Sequence, residues 1–221
     1  MKAMILAAGR GERLSPLTDT TPKALVELNG QPLIVHHILN LKNHGINDIV
    51  INTAYLGEKI EQYVGDGQAF GVTVRYSQEK EGGLETGGGI VNALPLLGNE
   101  PFITVNADIY FPFNFNKLPT INKVLGHLVL INNPSHNTKG DYAIDSHFLS
   151  TRKDLTQYTF SGIAIYHPKL FQSQKIGKYS VTPLIKEKAK EKVISAEFST
   201  QIWHDIGTKE RLETARRQFL K

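Results

Sequence analysis

The 221-residue chain contains no cysteine. Disulfides, zinc–thiolate centres and cysteine nucleophiles are therefore excluded, and a cytoplasmic setting fits. No apolar run approaches the length of a membrane span, so none is expected. The apolar stretch after Met1-Lys2 is short and lacks the layout of a secretory leader, so it is expected to form a first strand. Strong charge of either sign is missing too: 25 Lys and Arg against 21 Asp and Glu leave a net +4. That excess does not suit nucleic acid, whereas a small anionic substrate needs only two or three well-placed cations. The densest charged run, "KEKAKEK" from Lys186 to Lys192, alternates sign and reads as a solvated helix face. Repeats and low-complexity linkers are also lacking, so a single domain is expected over 1–221.

What is present alternates between strand and helix. Ala3 to Ala8 is an apolar run ending in glycine, the mark of a buried strand. Pro32 opens a helix that Gly45 closes, with Leu33, Ile34, Ile38 and Leu41 at helical spacing. Further strands are expected over Asp48 to Thr53, Val72 to Tyr76, Pro101 to Ile109 and Gly126 to Ile131. Helices are expected between them, over Tyr55 to Val64 and Gly87 to Leu97. This order implies an α/β fold on a mostly parallel sheet, with ligands beyond the carboxyl ends of the strands. The later segments "YAIDSHFLS" and "YTFSGIAIYH" suggest a hairpin acting as a small β lid. A helix over Tyr179 to Lys190 and short strands over Val193 to Phe198 and Gln201 to Ile206 should follow. Thr208 then caps a terminal helix carrying Leu212, Ala215 and Phe219 on one face.

The segment Leu6 to Leu25, "LAAGRGERLSPLTDTTPKAL", carries the most chemistry. A strand followed by Gly9-x-Gly11 offers backbone N–H groups to an anion with no side chain in the way. It is neither common phosphate loop. The third glycine of a dinucleotide fingerprint is Leu14, and no Gly-Lys-Ser/Thr follows. Arg13 can fork onto phosphate oxygens, and Lys23 can act as a point charge. Asp108 ends the fourth strand and Asp205 lies just before the terminal helix; hard oxygen ligands of this kind, with substrate phosphates, commonly hold Mg²⁺.

That segment resembles the signature of the sugar nucleotidyltransferases, which join a nucleoside triphosphate to a sugar 1-phosphate. "GQPLI" at Gly30, "LETGGGI" at Leu84, "VNADIY" at Val105 and "WHDIGT" at Trp203 follow in the family's order, so the similarity covers nearly the whole chain. The resemblance implies a three-layer, Rossmann-like nucleotidyltransferase fold with a mixed sheet. Its nucleotide-binding half is about 1–110 and its sugar-binding half about 111–221. Catalytic roles fall to Arg13, Lys23 and Asp108, with Mg²⁺ shared by Asp108 and Asp205. The nucleotide side takes Ala7, Ala8, Gly9, Gly11, Arg13, Lys23, Gln78, Glu79, Gly87 and Gly88. The sugar side takes Asn106, Lys139, Gly140, Asp141, Thr159, Ser161, Gly162 and Trp203.

Within the family the segments most resemble uridylyltransferases acting on N-acetylmuramate 1-phosphate in peptidoglycan recycling. The mannose-1-phosphate guanylyltransferases come next, with glucose-1-phosphate uridylyl- or thymidylyltransferases as a further alternative. The implied partners are UTP or another nucleoside triphosphate and a sugar 1-phosphate, with no nucleic acid and no membrane, in a monomer or small homo-oligomer. The chain departs from its relatives in "SQEKEGGLE", about one residue long, and in Ala107, which stands for a common glycine. The β-helix repeats of some relatives are missing, so acetyltransferase activity is not expected. An inactive sugar-nucleotide sensor and a dinucleotide oxidoreductase are the contrasting readings. Intact Arg13, Lys23, Asp108 and Asp205 oppose the first, and Leu14 opposes the second. The lactyl carboxylate that distinguishes muramate from glucosamine needs a cation or N–H donors. Lys139 is the first candidate, then Arg152, Lys153 and His204. The polar stretch Thr151 to Gln157 is expected to be mobile, and His36, His37 and His44 to be structural.

Overall fold

A computed structural model describes residues 1–80 and 82–219, except the side chain of Phe219, so that expected contact lies outside the described residues. The chain forms thirteen strands and six α-helices among the described residues. The strands are β1 (Lys2–Leu6), β2 (Glu27–Leu28), β3 (Gln31–Pro32), β4 (Asp48–Thr53), β5 (Thr73–Gln78), β6 (Phe102–Asn106) and β7 (Ile109–Tyr110). They continue as β8 (Gly126–Ile131), β9 (Tyr142–Asp145), β10 (Phe148–Ser150), β11 (Gln157–Tyr166), β12 (Ile194–Phe198) and β13 (His204–Asp205). The helices are α1 (Leu17–Thr20), α2 (Leu33–Asn43), α3 (Gly57–Val64), α4 (Glu85–Leu97), α5 (Thr182–Lys190) and α6 (Lys209–Phe219).

Nine strands make one mixed sheet in the order β5-β4-β1-β6-β11-β8-β12-β10-β9. The first four are parallel neighbours, because α2, α3 and α4 return the chain across a face between β1, β4, β5 and β6. The pairing turns antiparallel where β11 inserts between β6 and β8. The two segments expected to make a lid belong to this sheet. Tyr142 to Ser150 is itself a hairpin, β9–β10, and β9 also pairs with the start of β11. The stretch 151–157 is drawn into a closed turn, since the Gln157 amide donates to the carbonyls of Arg152 and Leu155 at 2.8 Å each. The strand expected over Gln201 to Ile206 shrinks to β13, because its partner β7 offers only two residues.

The three layers follow from sheet alternation. Ala3, Ile5, Ile49 and Ile51 face α2 and α3, while Met4, Val50, Phe102 and Leu128 face α4 and α5. A third cluster docks α6, through Leu212 and Ala215, onto Leu14, Leu28 and Leu33. Thr208 caps α6 as expected, its hydroxyl accepting from Arg211 N at 3.3 Å. Lys186, Glu187 and Lys190 on α5, and Glu191 at its C-cap, are exposed, as sign alternation foretold. No helix among the described residues is long and apolar enough to cross a membrane.

Candidate functional site

The turn after β1 is where the sequence pattern becomes geometry. Gly11 has φ +71°, the left-handed region, and caps the short 3₁₀ turn Glu12–Leu14. A Cβ there would lie 3.0 Å from the Lys23 Cβ, so a bare residue lets the lysine stem pass beneath the turn. The Thr18 hydroxyl donates to the Gly11 carbonyl at 2.8 Å and fixes the loop from below. Above it opens a cleft of about 870 Å³, lined by Ala7, Ala8, Gly9, Gly11, Arg13 and Lys23, all expected there. Gly83 and Glu85 line it from the loop between Gln78 and Gly88, and Asn52, Tyr55 and Lys178, which were not foreseen, line it as well.

The wall behind the cleft is one hydrogen-bonded chain. Ala7 N donates to Asn52 Oδ1 at 2.7 Å, Asn52 Nδ2 donates to Glu79 Oε1 at 2.7 Å, and Leu84 N donates to Glu79 Oε2 at 2.6 Å. Glu79 is thus spent on the wall and does not line the cleft. Gln78 turns away to Glu61, donating at 3.0 Å. Gly87 and Gly88 do not line the cleft either. Their amides donate to the Tyr179 carbonyl at 2.9 and 3.2 Å, and a Cβ on Gly88 would sit 1.7 Å from the Gly177 carbonyl oxygen. These glycines exist for close backbone approach, with a partner about ninety residues away that sequence spacing could not reveal. Ala107 lies outside the positive-φ positions, so losing the common glycine costs nothing in backbone strain.

The cations of the cleft differ in their engagement. Arg10 lies 5.1 Å over the Tyr55 ring and 4.0 Å from Glu12. Lys23 Nζ is 2.5 Å from Asp108 Oδ2. Arg13 and Lys178 have no carboxylate partner among the described residues.

A second hollow of about 230 Å³ meets the first at Asn106 and Asp108. Thr159, Ser161, Gly162, Trp203 and Asp205 line it, as expected, joined by His136 and Asn137. The register of β11 shifts between Phe160 and Ala164, and Gly162 in that shift has φ +91°. A Cβ there would come 3.0 Å from Asn106 Cβ, so the glycine lets β11 close on the tip of β6. Trp203 Nε1 donates to the Ser161 carbonyl at 2.7 Å, and its ring stacks near His136, 6.4 Å apart and tilted 23°.

Remaining sugar-side candidates serve the framework. Asp141 accepts from Phe160 N at 2.8 Å and from Asn137 Nδ2 at 3.0 Å. Gly140 is a turn at φ +63° packed on Tyr158 N. Lys139 is exposed and lines neither hollow. Arg152 pairs with Asp154 and Asp145, and Lys153 donates to Gln157 at 3.1 Å. His204 stacks on Tyr110, and burial lowers its pKa. None of these four side chains lines the sugar-side hollow.

The two aspartates are brought together by the small β7–β13 pair. Asp205 is the register partner of Ile109, and Ile206 N donates to the Asp108 carbonyl at 2.8 Å. Asp205 Oδ2 faces both Arg211 and His136 Nε2, the latter at 3.2 Å. Asp205 Oδ1 is buried and has no hydrogen-bond partner. No group of three or more His, Asp or Glu suited to a metal occurs among the described residues. Two carboxylates with one orphaned buried oxygen fit a hard cation whose remaining ligands are substrate phosphates and water. His36, His37 and His44 are structural: His36 and His44 contact main-chain carbonyls, and His37 is buried.

Comparison with known proteins agrees with this geometry. An N-acetylmuramate alpha-1-phosphate uridylyltransferase of Neisseria meningitidis serogroup B is 44% identical over 225 residues, spanning 97% of this chain and 96% of that protein. A mannose-1-phosphate guanyltransferase of Saccharomyces cerevisiae is 31% identical over 90% of this chain and 55% of its own length. The crystal structure of HddC from Yersinia pseudotuberculosis complexed with GMP-PN shares the fold, with a TM-score of 0.77 over 99% of both chains at 23% identity. The nucleotidyl transferase family model matches residues 2–128, more than half the chain, and the chain belongs to that family.

Proposed function

We propose that the chain transfers a uridylyl group from UTP to N-acetylmuramate 1-phosphate, with Mg²⁺, releasing pyrophosphate. One observation carries the reaction type: Asp108, paired to Lys23, stands where the glycine-turn cleft meets the second hollow. A group held there touches both substrates. The choice of base and sugar rests on likeness to the Neisseria relative along nearly the whole length of both chains. A cytoplasmic location goes with this reading.

The triphosphate lies in the larger cleft, its phosphates against the bare Gly9–Gly11 turn. The sugar enters the smaller hollow, between the β11 register shift and Trp203. An oxygen of the sugar phosphate forms a bond to the α-phosphorus. The α–β bridging bond breaks in line, and pyrophosphate leaves with the electron pair. The sugar phosphate is already an anion, so no general base is needed. Positioning and charge neutralisation supply the rate. Lys23 steadies the phosphates from the Asp108 side, and Arg13, which has no carboxylate partner among the described residues, meets the leaving pyrophosphate. Asp108 and Asp205 would hold Mg²⁺, which supplies charge neutralisation at the transferring phosphate. Lys178 adds positive charge on the opposite wall.

Pyrophosphate release tests this directly, using UTP, dTTP, CTP, GTP and ATP with muramate, glucosamine, glucose and mannose phosphates, each with and without Mg²⁺. The highest kcat/KM is expected for UTP with the muramate phosphate and Mg²⁺. A preference for GTP would replace the uridylyl assignment, and equal use of glucose 1-phosphate would remove the muramate one.

A further inference from the structure

Glu85 is the first residue of α4 and has φ +57°, a left-handed conformation that an L side chain adopts only at a cost. Nothing local asks for it. An acidic residue favours a helix N-terminus in ordinary backbone just as well. The conformation is imposed from both sides. Leu84 N is held by Glu79 at 2.6 Å, and the Leu84 carbonyl accepts from Tyr179 N at 3.1 Å. On the other side the Thr86 hydroxyl accepts from Val181 N at 3.0 Å, and the amides of Gly87 and Gly88 are tied to Tyr179. Residue 85 is therefore clamped between fixed neighbours, the condition under which a strained residue persists and the reason to ask what it does.

Its side chain answers in part. Glu85 is exposed, it lines the nucleotide cleft beside Gly83 and Thr86, and it makes no hydrogen bond or ion pair among the described residues. A bare carboxylate in a triphosphate cleft repels phosphate. It attracts either a cation or a hydrogen-bond donor, and the cation already has its carboxylates in Asp108 and Asp205. A nucleoside offers such donors in its ribose hydroxyls and in an imide N–H of the base. Arg13 and Lys178, without carboxylate partners among the described residues, are there for the phosphates, whereas Glu85 suits the uncharged end of the ligand.

We propose that Glu85 is a specificity residue for the nucleoside, its carboxylate accepting a hydrogen bond from a ribose hydroxyl or from the imide N–H of the bound nucleotide. The inference rests on the nucleotidyl transfer proposed above and assigns that site a group which selects its substrate. Glycine would relieve the backbone at position 85, so holding glutamate there trades stability for recognition.

The test uses Glu85→Gln, which keeps shape and strain, and Glu85→Gly, which relieves the strain. Turnover and calorimetric affinity are measured with UTP, 2′,3′-dideoxy-UTP and 3-methyl-UTP. Glu85→Gln is expected to lower kcat/KM and affinity for UTP roughly tenfold, the loss of one charge-assisted hydrogen bond. The loss should disappear with the analogue that lacks the donor Glu85 reads, dideoxy for ribose and methyl for base. Glu85→Gly should show the same functional loss with a melting temperature raised by about 2–4 °C. Wild-type turnover with unchanged UTP kinetics and affinity in both variants would overturn the Glu85 assignment alone. So would a loss equally large on both analogues, or a lowered melting temperature for Glu85→Gly. A wild type that neither turns over nor binds UTP would overturn the proposed function and Glu85's role with it.

Discussion

The nucleotide cleft is shaped by backbone, and the sugar-side hollow by side chains from distant segments. In the first, a strand end, a left-handed glycine at position 11 and a lysine twelve residues on are close in sequence and become one surface. In the second, β6, the 136–137 turn and the β13 strand contribute one or two residues each and β11 contributes four. A backbone site advertises itself through glycines and spacing. A side-chain site depends on which antiparallel strands meet, and only the fold decides that. The regions meet at Asp108, with Asp205 on the sugar side of the same joint, which makes that joint the place to test whether they work as one site.

The largest effect is expected there. Asp108→Asn and Asp205→Asn should each lower kcat by about 10²–10³-fold, since each removes a charge placed to stabilise a transferring phosphate. Steady-state rates at saturating Mg²⁺ check this. If Asp205→Asn keeps near-normal rates while Asp108→Asn does not, Asp205 serves only its pairing with Arg211 and His136, and the joint belongs to the nucleotide side.

That asymmetry also explains how much of the molecule was legible in advance. Asp48–Thr53 and Gly126–Ile131 form strands over the expected residues, because each is an unbroken apolar run destined for a sheet buried on both faces. Arg13, Lys23 and Asp108 reach the cleft as their motif implied. Gly87 and Gly88 misled. The resemblance put them on the nucleotide side, and nothing local says that the 177–179 segment presses on them. Lys139 misled for the opposite reason: it adjoins the right motif yet lines neither hollow, while His136, three residues earlier, lines the sugar-side one. Asn52 and Lys178 left no signal, being single residues in unremarkable surroundings.

The second prediction sharpens the reading of those glycines. Gly88→Ala would place a Cβ 1.7 Å from the Gly177 carbonyl oxygen, a backbone atom that no side-chain rotation can move aside. The expected cost is about 3 kcal/mol, toward the upper end for overpacking. Thermal unfolding reads it as a fall of roughly 6–12 °C. A stable variant with weakened UTP affinity would return Gly88 to the nucleotide side.

The third concerns His37, which lies on α2 beneath the joint and bonds the main chain of Ile109. Burial pushes its pKa down from 6.5 to about 4. Above pH 6.5 the ring is neutral whether the chain is folded or not. As pH falls from 6.5 toward 4 the unfolded chain takes up a proton that the folded one refuses, so stability is lost across that window. The gap corresponds to roughly 3 kcal/mol. Urea unfolding of wild type and His37→Gln at pH 7, 5.5 and 4 should show a steeper loss in wild type. Parallel curves would mean that His37 is protonated in the folded protein.

The smallest effect separates the two regions most cleanly. Trp203 half-covers the sugar-side hollow, and its indole N–H is its only donor, given to the Ser161 carbonyl at 2.7 Å. Trp203→Phe keeps an aromatic face toward His136 but removes that bond. One neutral hydrogen bond is worth about 1 kcal/mol, a factor of roughly five. Because the bond holds the 203 segment against the register shift of β11, its loss should loosen the sugar hollow and leave the glycine turn untouched. KM for the sugar phosphate is therefore expected to rise roughly fivefold, with KM for the triphosphate unchanged. An equal rise in both would show that the hollow and the cleft are one mechanical unit, and that the division between a backbone-built and a side-chain-built region does not extend to binding.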